Sequence, residues 1–258
     1  MVFFDAHCHL QDERLVPEWP GVLARARRAG VLGIAVKGAR ESDWSRVAAL
    51  AEREKGLHPS FGLHPWFLGE RSGDWMAALE ARLVAFPEAG VGEIGLDPEP
   101  KGGGGVPMEE QEEVFKAQLA LAVGLDRAVS IHVRGAWGRL LALLDEVDFP
   151  ERWMVHCFGG SVEVARVLLA RGAYLSFSGT VTRVNNRRAV AVLPAVPVER
   201  LLVETDAPDL LPRGAVGPLN EPANVVRVVE RVAAIRGESV GELAEQTDQN
   251  ARRFFGVT

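Results

Sequence analysis

The feature that most constrains the fold of this chain is a regular alternation of short apolar segments and helical segments from end to end. Eight segments resemble buried strands, and each is followed by a helical pattern or a loop. This repetition predicts a (β/α)8 TIM barrel, with a doubly wound open sheet as the structural alternative. No glycine-rich nucleotide fingerprint follows the first strand, which disfavours the open sheet. The predicted strands are residues 1–10, 31–37, 58–64, 89–97, 128–134, 152–158, 173–179 and 200–206.

Helical periodicity and helix-end signals mark the segments between and after these strands. Pro222 suits the first turn of a helix that Gly237 ends, and Ser239 with Glu242 forms a capping box ahead of the last helix. Residues 97–107 contain four consecutive glycines and three prolines, which predicts a mobile loop. The other predicted helices are residues 17–29, 41–55, 74–86, 109–124, 137–147 and 161–172.

Length and composition set the class of protein. With 258 residues, of which 47% are hydrophobic, the chain can bury the core of one barrel domain spanning 1–258. We see neither a membrane-length apolar run nor a signal-peptide pattern, so the cytoplasm is the expected location. The only two cysteines, Cys8 and Cys157, each stand beside a histidine. We expect both to point away from the histidines' side and to be small, buried, reduced thiols rather than metal ligands.

The first strand carries the earliest chemical signal, Asp5, His7 and His9 at every second position. Side chains two apart in a strand share a face, so both imidazoles would reach one point, with Asp5 one layer below. Two neutral imidazoles suit a metal such as Zn, Mn, Ni or Fe. Without further ligands, the pattern is also consistent with two histidines that merely begin a strand and bind no metal.

Polar residues at the ends of other predicted strands strengthen the metal interpretation. In a TIM barrel the chemistry gathers at the carboxyl ends of the strands, and every histidine except His58 falls there. The set exceeds the three or four protein ligands of one ion, so we expect two ions about 3.5–4 Å apart, bridged by Glu93. The predicted ligands are His7, His9, Glu93, His132, His156 and Asp206.

At this point the sequence resembles the TatD-type metal-dependent hydrolases of the amidohydrolase-like barrel superfamily, over essentially its whole length. The resemblance implies one ion held by His7, His9, Glu93 and Asp206, and a second held by Glu93, His132 and His156. It also implies hydrolysis of phosphodiester bonds, as in the DNases of that family. The motifs that carry it are FDAHCHL (4–10), GLHPW (62–66), GEIGLD (92–97), QEEVFKAQLALA (111–122), IHVRGA (131–136), HCFGGS (156–161), SFSGTVT (176–182), LLVETDAPDLLP (201–212) and NEPANV (220–225).

Two-metal chemistry assigns roles to the predicted catalytic residues Asp206, Glu93 and His64. Two cations lower the pKa of a bound water, so a bridging hydroxide would form near neutral pH. Asp206 would orient that water and take its proton as general base. His64 is placed to donate to the scissile phosphate or the leaving oxygen, and a purely structural loop histidine is the alternative.

Further residues near the site are candidates for substrate binding and ligand orientation. Arg134 shares strand parity with His132 and could bind phosphate. Glu204 shares parity with Asp206 and could orient a ligand histidine, as could Asp97. Three more arginines would form either a basic lip after the seventh strand or a solvated helix face; they are Arg183, Arg187 and Arg188.

The net charge of the chain indicates which kind of nucleic acid it is suited to bind. The net charge of −6 offers no extended surface for duplex DNA, so single-stranded DNA or DNA ends are the expected partners of a monomeric exonuclease. The cofactors would be two divalent ions, Mg, Mn or Zn. The same centre could instead cleave amides or esters of small molecules or aminoacylated RNA, and a non-catalytic barrel used for binding is a third interpretation.

Overall fold

The protein's structure, a computed structural model, describes residues 1–99 and 105–257. Its centre is one eight-stranded sheet in which neighbours in sequence are neighbours in space and every recorded pair is parallel. The strands are β1 (Phe3–Cys8), β2 (Val31–Lys37), β3 (Leu57–Phe61), β4 (Gly90–Leu96), β5 (Val129–Val133), β6 (Trp153–Val155), β7 (Tyr174–Phe177) and β8 (Leu201–Val203).

The sheet closes on itself between its first strand and the segment that follows its last. The backbone N–H of Asp206 donates to the carbonyl of His7 at 2.9 Å, and the N–H of His9 donates to the carbonyl of Ala207 at 2.8 Å. We call this junction the seam. It confirms the predicted (β/α)8 TIM barrel over the open sheet, and it fixes Asp206 beside the two histidines of β1.

Helices cover the outside of the barrel. The six helices predicted between strands are confirmed to within a few residues, and a short helix, α7, was not predicted. The helices are α1 (Trp19–Arg28), α2 (Glu41–Arg53), α3 (Trp75–Ala85), α4 (Met108–Gly124), α5 (Trp137–Glu146), α6 (Val162–Ala170), α7 (Arg187–Val192), α8 (Val225–Arg236) and α9 (Val240–Phe255).

Local sequence signals explain where two of these helices begin. The side chain of Ser161 accepts the backbone N–H of Val164 at the start of α6, and that of Ser239 accepts the N–H of Glu242 at the start of α9. Each bond satisfies one of the backbone N–H groups that the first helical turn leaves without a partner. None of the helices in the described ranges is long and apolar enough to cross a membrane.

The amino-terminal end of the barrel is closed by aromatic rings. His58 on β3 stacks on Phe4 of β1 at 5.1 Å between ring centroids, and Phe4 stacks on Phe255 at 5.5 Å. Phe255 ends α9, so the last helix seals the end of the barrel opposite the carboxyl ends of the strands. This accounts for His58, the histidine that the sequence placed apart from the others.

The predicted loop at 97–107 lies only partly within the described residues. Asp97 is fully buried, and Gly105 to Pro107 form no helix or strand before α4 begins. The prediction of mobility falls on residues 100–104, which lie outside the described residues.

Candidate active site

The structure brings the six predicted ligands together at the carboxyl ends of the strands, around the buried side chain of Glu93. Its Oε2 lies 3.3 Å from His7 Nε2 and 3.1 Å from His9 Nε2. Its Oε1 lies 3.1 Å from His132 Nδ1 and 2.8 Å from His156 Nε2. The two oxygens of one carboxylate therefore face two different groups of ring nitrogens.

These contacts define two clusters. The first cluster is His7, His9, Asp206 and Glu93 Oε2, in which Asp206 Oδ1 lies 3.5 Å from His9 Nε2 and 3.7 Å from His7 Nε2. The second cluster is His132, His156 and Glu93 Oε1. The clusters adjoin each other, because the rings of His7 and His156 stack with centroids 3.9 Å apart.

Glu93 lies on β4 and His132 of the second cluster lies on β5, and these two strands pack closely together. Gly95 has a φ of 153°, and a side chain there would run into the carbonyl oxygen of His132. Only glycine allows this approach without strain. The second glycine of the GEIGLD motif therefore lets β4 lie directly against the backbone of His132 on β5.

The first cluster has the donor chemistry of a cation site. His9 Nδ1 lies 2.9 Å from the backbone carbonyl of Lys37, which can only accept, so Nδ1 carries a hydrogen, and in the neutral ring Nε2 keeps its lone pair. The His7 ring is held through Nδ1, 3.1 Å from Ser130 Oγ. The two Nε2 atoms lie 3.3 Å apart and both face Glu93 Oε2. A cation among these acceptors relieves their mutual repulsion.

The same logic applies to the second cluster. His132 Nε2 lies 3.2 Å from Asp97 Oδ2, so that nitrogen holds the hydrogen, and in the neutral ring Nδ1 faces Glu93 with its lone pair. His156 Nδ1 lies 3.4 Å from Glu204 Oε1, an ion-pair contact without hydrogen-bond geometry. A carboxylate behind each ring matches the way metal-binding histidines are oriented. The residues of both clusters therefore fit divalent metal ions.

His64 faces the second cluster as a donor. The backbone N–H of Trp66 donates to His64 Nδ1 at 3.1 Å, so the ring's hydrogen is on Nε2, which lies 3.2 Å from Glu93 Oε1. Burial lowers the pKa of His64 to about 4, so the ring is neutral at pH 7. In this tautomer its Nε2–H is available to donate a hydrogen bond, and no lone pair faces the cluster.

The charges of the centre are strongly coupled. Burial alone raises the pKa of Glu93, but attraction to His156, His64 and His7 outweighs it and holds the pKa well below its usual value. Burial lowers the pKa of His7. Burial likewise disfavours charged His156, but the attraction of Glu93 and the contact with Glu204 raise its pKa well above normal. Glu93 is therefore a carboxylate whose environment favours positive charge around it.

Asp97 connects the second cluster to the rim. Besides His132, its Oδ2 accepts the indole N–H of Trp66 at 2.6 Å and lies 3.3 Å from Arg134 Nε. Arg134 also lies 3.5 Å from Glu99 Oε2. The predicted phosphate-binding residue Arg134 thus lines the site with its charge already paired.

A cleft of about 820 Å³ opens above the two clusters. It is lined by His9, His64, His132 and His156 and by residues of the surrounding loops. The prediction of small buried thiols is confirmed for Cys8 and wrong for Cys157, which is partly exposed and lines the cleft. β6 ends at Val155, and Cys157 has a φ of 43°, so strand alternation no longer applies at that position.

Sequence reasoning missed three groups that orient the site: Ser130 Oγ, the carbonyl of Lys37 and the N–H of Trp66. Ser130 could have been found, because it lies two residues before His132 on the same strand and so shares its face. The two backbone groups leave no mark in the side-chain pattern. They become visible only once neighbouring strands and loops are placed.

Comparison with known proteins identifies the family. Residues 4–256 match the profile of the family described as TatD related DNase. The chain is 36% identical to the 3'-5' ssDNA/RNA exonuclease TatD of Citrobacter rodentium, over 99% of this chain and 98% of that protein. It is 32% identical to the uncharacterized metal-dependent hydrolase YabD of Bacillus subtilis, over 99% of this chain and all of that protein.

A solved structure supports the same family assignment. The crystal structure of YJJV, a TatD homolog from Escherichia coli, superimposes with a TM-score of 0.92 at 32% identity, covering 99% of this chain and 98% of that one. Together with the donor chemistry of the two clusters, these matches show that the chain belongs to the TatD-related DNase family of metal-dependent hydrolases.

Proposed function

We propose that this hydrolase removes nucleotides from the ends of single-stranded DNA or RNA, using two divalent ions held on either side of Glu93. The observation that carries the proposal is the division of Glu93, with one oxygen toward each cluster. The relative from Citrobacter rodentium, a 3'-5' ssDNA/RNA exonuclease of 36% identity, supports the choice of substrate.

In this proposal the first ion would be held by His7, His9, Asp206 and Glu93, and the second by Glu93, His132 and His156. Bound there, divalent ions supply two things: they acidify water and neutralise charge on a phosphate. Four carboxylates contact the histidines of the two clusters: Glu93, Asp97, Glu204 and Asp206. Asp206 has the most exposed side chain of the four, at 16%, and it lines the cleft. It can therefore meet an attacking water and take its proton.

His64 acts as a neutral donor. Its Nε2–H points at the carboxylate oxygen of the second cluster, where a phosphate oxygen would compete for the same hydrogen. Because the pKa of His64 is about 4, the ring neither loses this hydrogen nor gains a second one between pH 5 and 8. Its contribution would be orientation of the phosphate or stabilisation of the leaving oxygen.

The test is an activity panel on the purified protein. Single-stranded DNA and RNA, the same DNA as a blunt duplex, and a set of amides and esters are each supplied with Mg, Mn or Zn, and bound metal is counted. We expect single strands to be shortened, with two ions per chain. Cleavage of amides or esters alone would overturn the proposal.

Replacement of Asp206 tests its role. Asp206→Asn keeps the size and the hydrogen bonds of the backbone at the seam but cannot accept a proton, so we expect kcat on single-stranded DNA to fall by at least about 10²-fold. Circular dichroism would check the fold, and the exposed Asp148→Asn is the matched control. Undiminished turnover in Asp206→Asn would exclude it as the base.

We further propose that the enzyme is a monomer acting in the cytoplasm and that residues 1–258 form one domain. Both clusters are built from one chain, which supports activity without a partner subunit. Size-exclusion chromatography with light scattering checks the monomer, and a stable dimer would contradict it.

A further inference from the structure

Arginines and acidic residues both line the cleft, and the partners of the arginines divide them into two kinds. Among the described residues, six arginines line it. An arginine whose charge is already balanced by carboxylates gains little from a phosphate, whereas one without such a partner attracts it fully. They are Arg14, Arg40, Arg46, Arg134, Arg183 and Arg188.

Four of the six are paired with acids. Arg14 is shared between Asp12 at 2.9 Å and Asp209 at 3.0 Å. Arg134 is shared between Asp97 and Glu99. Two further pairs are looser, with nitrogen-to-oxygen distances of 3.4 and 3.7 Å; they are Arg46 with Glu13 and Arg40 with Glu70.

The other two arginines, Arg183 and Arg188, lie on one side of the cleft, after β7. Within residues 1–99 and 105–257, neither Arg183 nor Arg188 forms an ion pair with a carboxylate. In the part of the chain that the structure describes, the one side-chain hydrogen bond of Arg188 runs from its Nη1 to the backbone carbonyl of Gly159 at 3.3 Å. Both side chains are exposed to solvent at the cleft. The uncompensated positive charge of the cleft therefore lies beside the loops that follow β6 and β7.

An aromatic surface lies next to this charge. Trp137 lines the same cleft and packs against Phe158 with ring centroids 5.2 Å apart. Phe158 immediately precedes Gly159, the anchor of Arg188. Cations beside an indole suit a nucleotide, because the phosphate meets the guanidinium groups and the base can stack on the ring.

We propose that Arg183 and Arg188 bind the phosphate adjacent to the scissile one, so that the substrate strand crosses the cleft toward the loops after β6 and β7, with a base on Trp137. This inference rests on the proposed nuclease function and adds the path of the strand. It also moves the main phosphate contact from Arg134 to the two arginines without acidic partners.

The chain offers its own control. Arg187 is adjacent to Arg188 and is also exposed, but it does not line the cleft. Removing it changes net charge by the same amount as removing Arg188 without touching the proposed path. If the arginines act only through long-range charge, Arg187→Ala should show the effect too. If Arg183 and Arg188 contact a phosphate, Arg187→Ala should show no effect.

The experiment compares two substrates. One is a single-stranded oligonucleotide, and the other is bis(4-nitrophenyl) phosphate, a diester with no second phosphate. For the double variant R183A/R188A we expect the kcat/KM on the oligonucleotide, relative to that on the small diester, to fall by at least about tenfold, mainly through KM. The slope of log KM against log salt should also become shallower, by about 0.7 for each phosphate that no longer meets an arginine. Arg187→Ala should keep the wild-type ratio.

The outcomes separate the two proposals. An unchanged ratio in the double variant, or an equal change in Arg187→Ala, overturns the strand path while wild-type cleavage of the oligonucleotide upholds the nuclease function. If the wild type cleaves neither substrate with Mg, Mn or Zn, the nuclease proposal fails and the strand path falls with it.

Discussion

At the scale of single residues, Asp97 shows how a buried carboxylate can act through its neighbours. It sits behind His132 and also holds Trp66 and Arg134, so it orients a ring of the second cluster and two groups of the rim at once. Because its contacts lower its pKa strongly, against the effect of burial, it is an anion at neutral pH. Its charge makes the opposite nitrogen of His132 a better donor to a cation.

Asp97→Asn should therefore weaken metal binding while the fold is kept. We expect metal affinity to fall by about 10–100-fold, because the amide can still accept a hydrogen bond but carries no charge. Isothermal titration calorimetry with Mn would measure it, with Asp148→Asn as control. Equal affinity in Asp97→Asn and wild type would show that Asp97 only packs.

The lowered pKa of His58 predicts how the stability of the protein depends on pH. Burial, with the nearby charges of Arg252 and Lys37, lowers its pKa to about 4, whereas in the unfolded chain it is about 6.5. Between these values the unfolded state binds a proton that the folded state does not, so stability falls as pH falls from 6.5 toward 4. His58→Phe keeps the aromatic stack and removes the proton. We expect its loss of unfolding free energy from pH 7 to pH 5 to be about 1–2 kcal/mol smaller than in the wild type.

Urea denaturation at the two pH values checks this prediction. The comparison within each protein cancels the effect of the substitution on packing at pH 7. An identical pH dependence in the two proteins would mean that another group, such as His64, accounts for the acid sensitivity.

At the scale of elements, α9 matters because Phe255 closes the amino-terminal end of the barrel. Its first turn depends on Ser239, whose side chain accepts the N–H of Glu242. Ser239→Ala should cost about 1 kcal/mol of unfolding free energy, and Ser239→Asp should restore most of it, since Asp also caps helices. Thermal or urea unfolding would measure both. A loss that Asp does not recover would point to packing rather than capping.

The elements also show what sequence could and could not predict. The barrel and the convergence of His7, His9, Glu93, His132 and Asp206 follow from apolar segments of strand length, because the ends of parallel strands must meet. The six-residue α7 was missed because it is too short to show periodicity. The packing between β4 and β5 determines which oxygen of Glu93 faces which histidine ring. The pattern of residues in the sequence does not encode that packing.

At the scale of the whole molecule, the two clusters place acids and imidazoles together at one end of the barrel. Ions that bind only the folded state stabilise it by mass action, by about 2.7 kcal/mol at a hundred times the dissociation constant. We expect Mn to raise the unfolding temperature in differential scanning calorimetry, and a chelator to reverse the rise. The increase should be smaller in Asp206→Asn. An unfolding temperature indifferent to Mn would contradict the two clusters as metal sites.

The seam has a consequence for synthesis of the protein. It joins His7 and His9, which leave the ribosome before the other seven strands of the barrel, to Asp206, which follows the last strand. Until that late segment emerges, the second cluster can gather its side chains but the first lacks one of its carboxylates. The protein thus completes its reactive centre only when the barrel itself closes, and unfinished chains lack the residue proposed as the base.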